Sequence, residues 1–499
     1  MRQTIKAVRL QHRDCVGSRT QESIMKDTTS MAYSFASCSI RVRNGNGLLE
    51  MIKRCILSFA ITTVFVCSMA RGQVLTLPSG FNYKEANVPP YVLLSSLRFA
   101  DGNVVKSTAE WPARRAELMR TFQVNIFGRI PEAARHLPLQ YRVLEHDTPA
   151  LDGLAVRRQV IIPLTSQDDH GPVMHLLLYL PTHRVAASPV ILGLNFDGNA
   201  AVIDDPEILA TPVWQKGKTP GDPPQLVPFA ESNRGSRASE WQVKMLLRRG
   251  YGLATVYYGD IDPDSKHALR LSIQSYYFDR GQTSQKPDDW GSLAAWAWGL
   301  IRALDYLQTD SQIDAKEVVV TGHSRLGKAA DWAAAQDERF AALLSTESGK
   351  GGQSLYHREF GENIAHLEHS FPYWFCPNFE QWVGRDREIP ADGNLLLALI
   401  APRPLYVASA EQDLFSDPRG EFLAAQNVGQ VYALFGKQGL DMTHMPEVNQ
   451  PVMHDVAYHI RSGVHDVTAF DWEQYLTFLD LRFGSPLTRV AARTKKGTR

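Results

Sequence analysis

The stretch "VVVTGHSRLGKAADW", Val318 to Trp332, runs from a β-branched apolar pattern into a helical one, with a serine at the junction. A serine on a sharp strand-to-helix turn marks a nucleophile elbow of the G-x-S-x-G kind, because that turn lifts the hydroxyl clear of the sheet. Gly322, His323, Ser324 and Arg325 keep the pattern, but Leu326 stands where the second glycine belongs, and Gly327 follows one place later. The turn lacks the G-x-G-x-x-G of a nucleotide-binding fold, which leaves the elbow as the reading.

Outward from the elbow, short apolar runs alternate with helical segments. Ser188–Phe196, Tyr251–Asp260, Lys316–Gly322, Phe340–Thr346, Arg403–Ala410 and Val431–Gly436 have the composition of strands buried on both faces. Between them, Leu293, Trp296, Ala297, Leu300, Ile301, Leu304 and Leu307 recur at helical spacing, with Asp288 and Asp289 suited to the first turn. Trp290, Trp296 and Trp298 have the look of a sugar-binding stripe, but core packing is the expectation for Trp296. The N-terminal part, 82–165, carries a helix-like run ending at Gly128 and Pro131 and then strands such as "RRQVIIPL", expected to form an antiparallel flank. Residues 201–242 show no period and are expected to form a long surface excursion near the site. The alternation predicts an α/β protein of the α/β-hydrolase fold, a three-layer αβα sandwich with a mostly parallel central sheet, as one catalytic domain over 74–485.

Zero formal net charge, with 44% hydrophobic and 21% charged residues among 499, describes a globular chain with ample core. It gives no electrostatic reason to bind nucleic acid, and the basic C-terminal tail, 486–499, reads as a solvated terminus. "MIKRCILSFAITTVFVCSMARGQ", from Met51, has the basic, apolar and small-residue order of a secretory signal over 51–72, too short for a membrane span. Residues 1–50 then read as an upstream extension from a mis-called start. The mature product is expected to be secreted or periplasmic, free of the membrane and monomeric. Of the five cysteines, Cys15, Cys38, Cys55 and Cys67 precede the expected cleavage. Cys376 alone remains, so an exported fold would rest on its core without an internal disulfide.

A serine hydroxyl becomes a useful nucleophile when a histidine takes its proton and an acid orients that histidine. Ser324 is the candidate nucleophile. The Arg325 backbone N–H falls where an elbow binds the oxyanion, and its side chain can aim positive charge at the same atom. Gly327 is expected to relieve crowding in the first helical turn, and Lys328, one turn beyond the serine, could hydrogen-bond a hydroxyl-rich substrate. Two acids qualify, Asp413 after the strand ending at Ala410 and Glu347 at the end of the strand before it. Histidines 444, 454, 459 and 465 all follow the last expected strand, and His465, just before the closing helix, is favoured over His444 and His459. "DIDPD", Asp260–Asp264, opens like a calcium loop but lacks its glycine and terminal glutamate, and no Cys/His cluster has zinc spacing. No metal and no organic cofactor is expected.

Taken together, "RRGYGLATVYYGDIDPD", "VVVTGHSRLGKAA", "STESGKGGQS", "FPYWFCPNF", "EQDLFSDPRGEF" and "YHIRSGVHDVTAFDWEQYL" resemble the bacterial glucuronoyl esterases, carbohydrate esterase family fifteen, over 82–483. The resemblance implies hydrolysis, through an acyl-enzyme, of the ester between 4-O-methyl-glucuronoyl groups of glucuronoxylan and lignin alcohols. It implies Ser324 as nucleophile, His465 as base, Glu347 and Asp413 as acids, Arg325 at the oxyanion, and Lys328 and Glu362 on the sugar. Family members commonly carry tryptophan two residues after the Asp413 position. Phe415 stands there instead, keeping an apolar face without the indole N–H. Trp374, in the retained "FPYWF", is implied as a wall of the site or as core. The rival readings are an acetyl-xylan or feruloyl esterase on the same fold and, from another class, a carbohydrate-binding pseudoenzyme.

Overall fold

The structure, a computed structural model, describes residues 77–166, 171–184, 186–219 and 221–488. The expected upstream extension and signal segment, which hold four cysteines between them, and most of the basic tail lie outside the described residues.

A ten-stranded sheet organises this unit. Its strands are β1 (Arg142–Ala150), β2 (Ala155–Pro163), β3 (Val173–Pro181), β4 (Ser188–Asn195), β7 (Gly252–Tyr257), β8 (Ile313–His323), β9 (Ala342–Thr346), β10 (Leu405–Ala410), β11 (Val452–Met453) and β12 (Val456–Arg461); β5 (Val213–Gln215) and β6 (Gln225–Val227) form a separate hairpin. The spatial order is β1-β2-β3-β7-β4-β8-β9-β10-β12-β11. From β7 to β12 the neighbours are parallel, whereas β1, β2 and β3 form an antiparallel flank and β11 closes the other edge.

Period-two alternation explains why the central strands read as unbroken apolar runs. Val318 and Val320 point into one core with Trp296, Leu300 and Trp332. Val319 points into the other with Leu246, Trp472 and Leu476. Both faces are therefore covered by helices, giving three layers. Among the described residues five helices have ten or more residues: α1 (Trp111–Asn125), α2 (Ser292–Leu307), α3 (Ser324–Gln336), α4 (Pro418–Asn427) and α5 (Ala469–Phe483).

Three expectations need correction. Val431–Gly436 is not a strand; Gly429–Leu434 is a short helix, with Tyr432 buried and donating to the Arg403 carbonyl at 2.6 Å. A six-residue apolar run does not distinguish a buried strand from a buried helix turn. The final parallel strand is β12, so His459 lies within it, His444 and His454 precede it, and only His465 follows. Asp288 and Asp289 precede α2, whose N-cap is Gly291; Asp288 pairs with Arg129 at 2.6 Å instead. The core packing expected for Trp296 is found, and Trp290 and Trp298 are buried with it, so the three present no stripe. The 201–242 excursion contains the β5–β6 hairpin, pinned by Trp214 Nε1 donating to the Gly259 carbonyl at 2.8 Å.

The N-terminal segment of the described unit is tied to the segment that bears Glu362. Gly361 N–H donates to the Asn82 carbonyl at 2.8 Å, and Asn82 Nδ2 donates to the Glu359 carbonyl at 3.0 Å. Glu85 pairs with both Arg358 and Arg419.

Candidate active site

Four candidate residues leave the carboxyl ends of four neighbouring strands. Ser324 follows β8, Glu347 follows β9, Asp413 lies three residues past β10, and His465 four past β12. Parallel strands end at one edge of the sheet, where ligand sites of this architecture form.

Ser324 has φ +57° and begins α3 directly after β8. A non-glycine residue in this left-handed region costs about 1–3 kcal/mol, strain that the flanking packing must hold in place. Gly322 makes the turn possible, since a Cβ there would lie 2.2 Å from the Leu326 carbonyl oxygen. The displaced glycine has a related function. A Cβ on Gly327 would lie 2.9 Å from Cβ of Ser348, the residue after Glu347. The missing side chain therefore lets the first turn of α3 lie against the loop that carries one of the acids, while Leu326 fills core.

His465 Nδ1 is 2.6 Å from Asp413 Oδ2 and 3.1 Å from Glu347 Oε2. Glu347, itself at φ +47°, is held from other sides. Its Oε1 accepts from Arg461 NH2 at 2.7 Å, its Oε2 accepts from the Asp466 N–H at 3.0 Å, and His323 Nε2 stands 3.4 Å from Oε2. Arg461 is fixed in turn by Asp471, which closes a capping box on α5 with Thr468. Desolvation alone would lower the His465 pKa, but hydrogen bonds and negative charge from Asp413 and Glu347 push it up to about 10. Burial raises the Asp413 pKa, and the hydrogen bond and positive charge of His465 more than offset this, leaving the carboxyl below its usual range. With Nδ1 engaged by carboxylates, Nε2 is the nitrogen left to receive a proton. The His465 ring packs on His323, immediately before Ser324, at 4.4 Å between centroids.

The competing histidines lie elsewhere. His459 is buried between the Tyr406 hydroxyl and Asp471, and His444 is exposed. Among the described residues only His323, Glu347 and His465 bring three potential metal-ligand atoms within 4.8 Å of one another. Two of these atoms already face each other as imidazole and carboxylate.

Arg325 is enclosed. Its guanidinium carbon is 5.3 Å from the Phe196 ring centroid and 5.4 Å from that of Trp374, and its NH1 donates to Asp264 Oδ2 at 2.8 Å. Trp374 is buried, stacked on Phe371 at 3.8 Å; it confines Arg325 rather than offering an open platform. On the other side Lys328 Nζ donates to the Ser348 carbonyl at 2.6 Å and lies 3.4 Å from Glu362 Oε2. The Glu362 N–H donates to the Phe415 carbonyl at 2.9 Å. Phe415 is half-buried, edge-on to Phe81 at 5.1 Å and to His366 at 5.3 Å. Tyr83 joins this side; burial and the charges of Asp413 and Glu362 raise its pKa. Sequence reasoning missed Asp264, Phe196, Arg461 and Tyr83. Only Asp264 had a visible signal, the acidic turn "DIDPD".

A strained serine beside a carboxylate-backed imidazole, with a guanidinium on one side and a lysine–glutamate pair on the other, suits acyl transfer from a polyhydroxylated acid. Comparison with known proteins agrees. The family profile described as "Glucuronyl esterase, fungi" matches residues 272–436. A carbohydrate esterase, MZ0003, from an unknown prokaryotic organism is 42% identical over 436 residues, 86% of this chain and 98% of the relative. The glucuronoyl esterase structure from Solibacter usitatus is 45% identical, covers 80% of this chain and all of its own, and superposes with a TM-score of 0.76. A 4-O-methyl-glucuronoyl methylesterase of Podospora anserina is 34% identical over 166 residues, 31% of this chain and 34% of its own length. The chain belongs to the glucuronoyl esterases of carbohydrate esterase family fifteen, which are carboxylic ester hydrolases of the α/β-hydrolase fold.

Proposed function

We propose that this protein hydrolyses the ester joining the carboxyl of a 4-O-methyl-glucuronoyl group of glucuronoxylan to an alcohol of lignin. Ser324 Oγ attacks the ester carbonyl while His465 Nε2 takes its proton. Asp413 and Glu347 stabilise the imidazolium that forms. Negative charge on the carbonyl oxygen falls on the Arg325 N–H groups. Collapse of the tetrahedral species expels the alcohol, which takes the proton from His465. Water then attacks the acyl-serine with His465 again as base, releasing the uronic acid and restoring Ser324. Lys328 and Glu362 supply a donor and an acceptor for the hydroxyls of the sugar, and Phe415 an apolar face.

The observation that carries this reading is His465 Nδ1 at 2.6 Å from Asp413 and 3.1 Å from Glu347, at the same sheet edge as the strained Ser324. Export is part of the proposal, since such a polymer lies outside the cell and the sequence from Met51 reads as a secretory signal. The test is release of benzyl alcohol from benzyl glucuronate, beside an acetyl-xylan and a methyl ferulate arm. The proposal expects turnover of the glucuronate ester, its abolition in Ser324→Ala and lower rates on the other two esters. Preference for the acetyl or feruloyl ester, or full turnover by Ser324→Ala, would overturn it.

A further inference from the structure

We infer that Asp264 is the positioning residue of the reaction, holding the Arg325 guanidinium where the carbonyl oxygen acquires its charge; this rests on the function proposed above. Four donors from three separate segments converge on its two oxygens. Oδ2 accepts from Arg325 NH1 at 2.8 Å and from the Tyr258 hydroxyl at 3.2 Å. Oδ1 accepts from the Tyr373 hydroxyl at 2.5 Å and from Trp374 Nε1 at 2.8 Å. Burial first, then the charge of Asp264, raises the pKa of Tyr258 and of Tyr373, so both phenols stay protonated and remain donors. Only a group that accepts on both atoms satisfies this set. An asparagine would turn an N–H₂ toward either the arginine or the tyrosine–tryptophan pair.

The surroundings leave Arg325 little other freedom. Its guanidinium lies between the Phe196 and Trp374 rings, and its Nε is buried without a hydrogen-bond partner. A free arginine side chain samples many rotamers, and aiming its planar fork at one atom means giving most of them up. The slot and the carboxylate fix it before substrate arrives, which is what a transition-state donor requires. Asp264 thus acts through Arg325, and Trp374 both walls the arginine and locks the carboxylate that orients it.

The test is a double-mutant cycle on benzyl glucuronate, with rates normalised to sites titrated by a phosphonate that labels Ser324. Arg325→Ala should lower kcat about 100-fold or more, the usual loss for a transition-state donor. Asp264→Asn should lower kcat about tenfold or more with KM changed less than about threefold, a split expected when the lost interaction forms only in the transition state. In the Arg325→Ala background the same substitution should cost less than about twofold, because its target is gone. If Asp264→Asn does not accumulate as folded protein, Tyr373→Phe, which loosens Oδ1 alone, must show the same dependence on Arg325 at smaller size. Equal loss in both backgrounds would overturn the inference, since a merely structural acid acts regardless of Arg325. A rise in kcat would also overturn it, since that is what removing a charge-neutralising partner would do. Undiminished kcat in Arg325→Ala would overturn it as well, since Asp264 would then have nothing to act through, whereas absence of turnover of benzyl glucuronate by the unmutated protein would instead sink the proposed function.

Discussion

Asp413 Oδ2 lies 2.6 Å from His465 Nδ1, inside ordinary hydrogen-bond length, and the second acid in reach of that nitrogen is partly committed to Arg461 and the Asp466 N–H. Two carboxylates on one imidazole nitrogen make each a partial substitute for the other. Asp413→Asn and Glu347→Gln should each lower kcat about 10- to 100-fold, short of the roughly 10⁴-fold loss when a triad's single acid is neutralised. Asp413→Asn should be the worse of the two. The double variant should fall further than the product of the single effects, as measured by kcat on benzyl glucuronate. A double variant no slower than either single one would show that the acids do not share the task.

The same pair of charges sets a pH response. The base must be neutral to accept the serine proton, and Asp413 and Glu347 push the His465 pKa up to about 10. The acid limb of kcat/KM should therefore lie above pH 7, well over that of an ordinary histidine at about 6.5, and activity should rise with pH through it. Asp413→Asn removes one charge and should move that limb to lower pH. The sign for stability is the opposite. A histidine raised in the folded state contributes stability fully below its unfolded pKa and loses it as pH rises toward about 10. Asp413, lowered in the folded state, contributes above its unfolded pKa and loses that as pH falls. A pH series of kcat/KM and of thermal midpoints, wild type beside Asp413→Asn, reads both.

Gly327→Ala tests the displaced glycine. The new Cβ meets Ser348 Cβ at 2.9 Å and the Gly322 carbonyl oxygen at 3.2 Å, so the elbow or the Glu347 loop must give way. Overpacking of this kind costs about 1–3 kcal/mol. Urea denaturation should register that loss, and kcat should drop about tenfold because Ser348 directly follows Glu347. Adding Leu326→Gly, which restores the usual spacing, should not repair Gly327→Ala, since position 326 points into core.

Phe415→Trp should lower KM for benzyl glucuronate about two- to tenfold with little change in kcat, the range that 0.5–1.5 kcal/mol of added aromatic contact allows. Steady-state kinetics on that ester decides it. A fall in kcat would mean that the larger ring disturbs the Phe81 and His366 edges that Phe415 now meets.

How much was legible follows from what each signal depends on. The elbow and β4, β7, β9 and β10 could be read because a strand covered by helices on both faces needs an unbroken apolar run. β12 could not: it carries His459 and Arg461, which look solvated until Tyr406, Asp471 and Glu347 are found beside them. Val431 to Gly436 looked like a strand because six apolar residues carry no period. Glu347 and Asp413 were readable from their places after strands, and His465 from its place just before the closing helix. Asp264 was not, because its meaning lies in Arg325, Tyr373 and Trp374, residues that only the fold brings to it.

The stitching of Asn82 to Glu359 and Gly361, with Glu85 clamped by Arg358 and Arg419, has a practical outcome for engineering. Phe81, edge-on to Phe415 and His366, and Tyr83 flank that seam, so affinity tags or appended binding modules belong at the opposite terminus. Trimming residues 81–85 to obtain a tidier catalytic core would strip the packing from Phe415 and the ion pairs from Arg358 and Arg419.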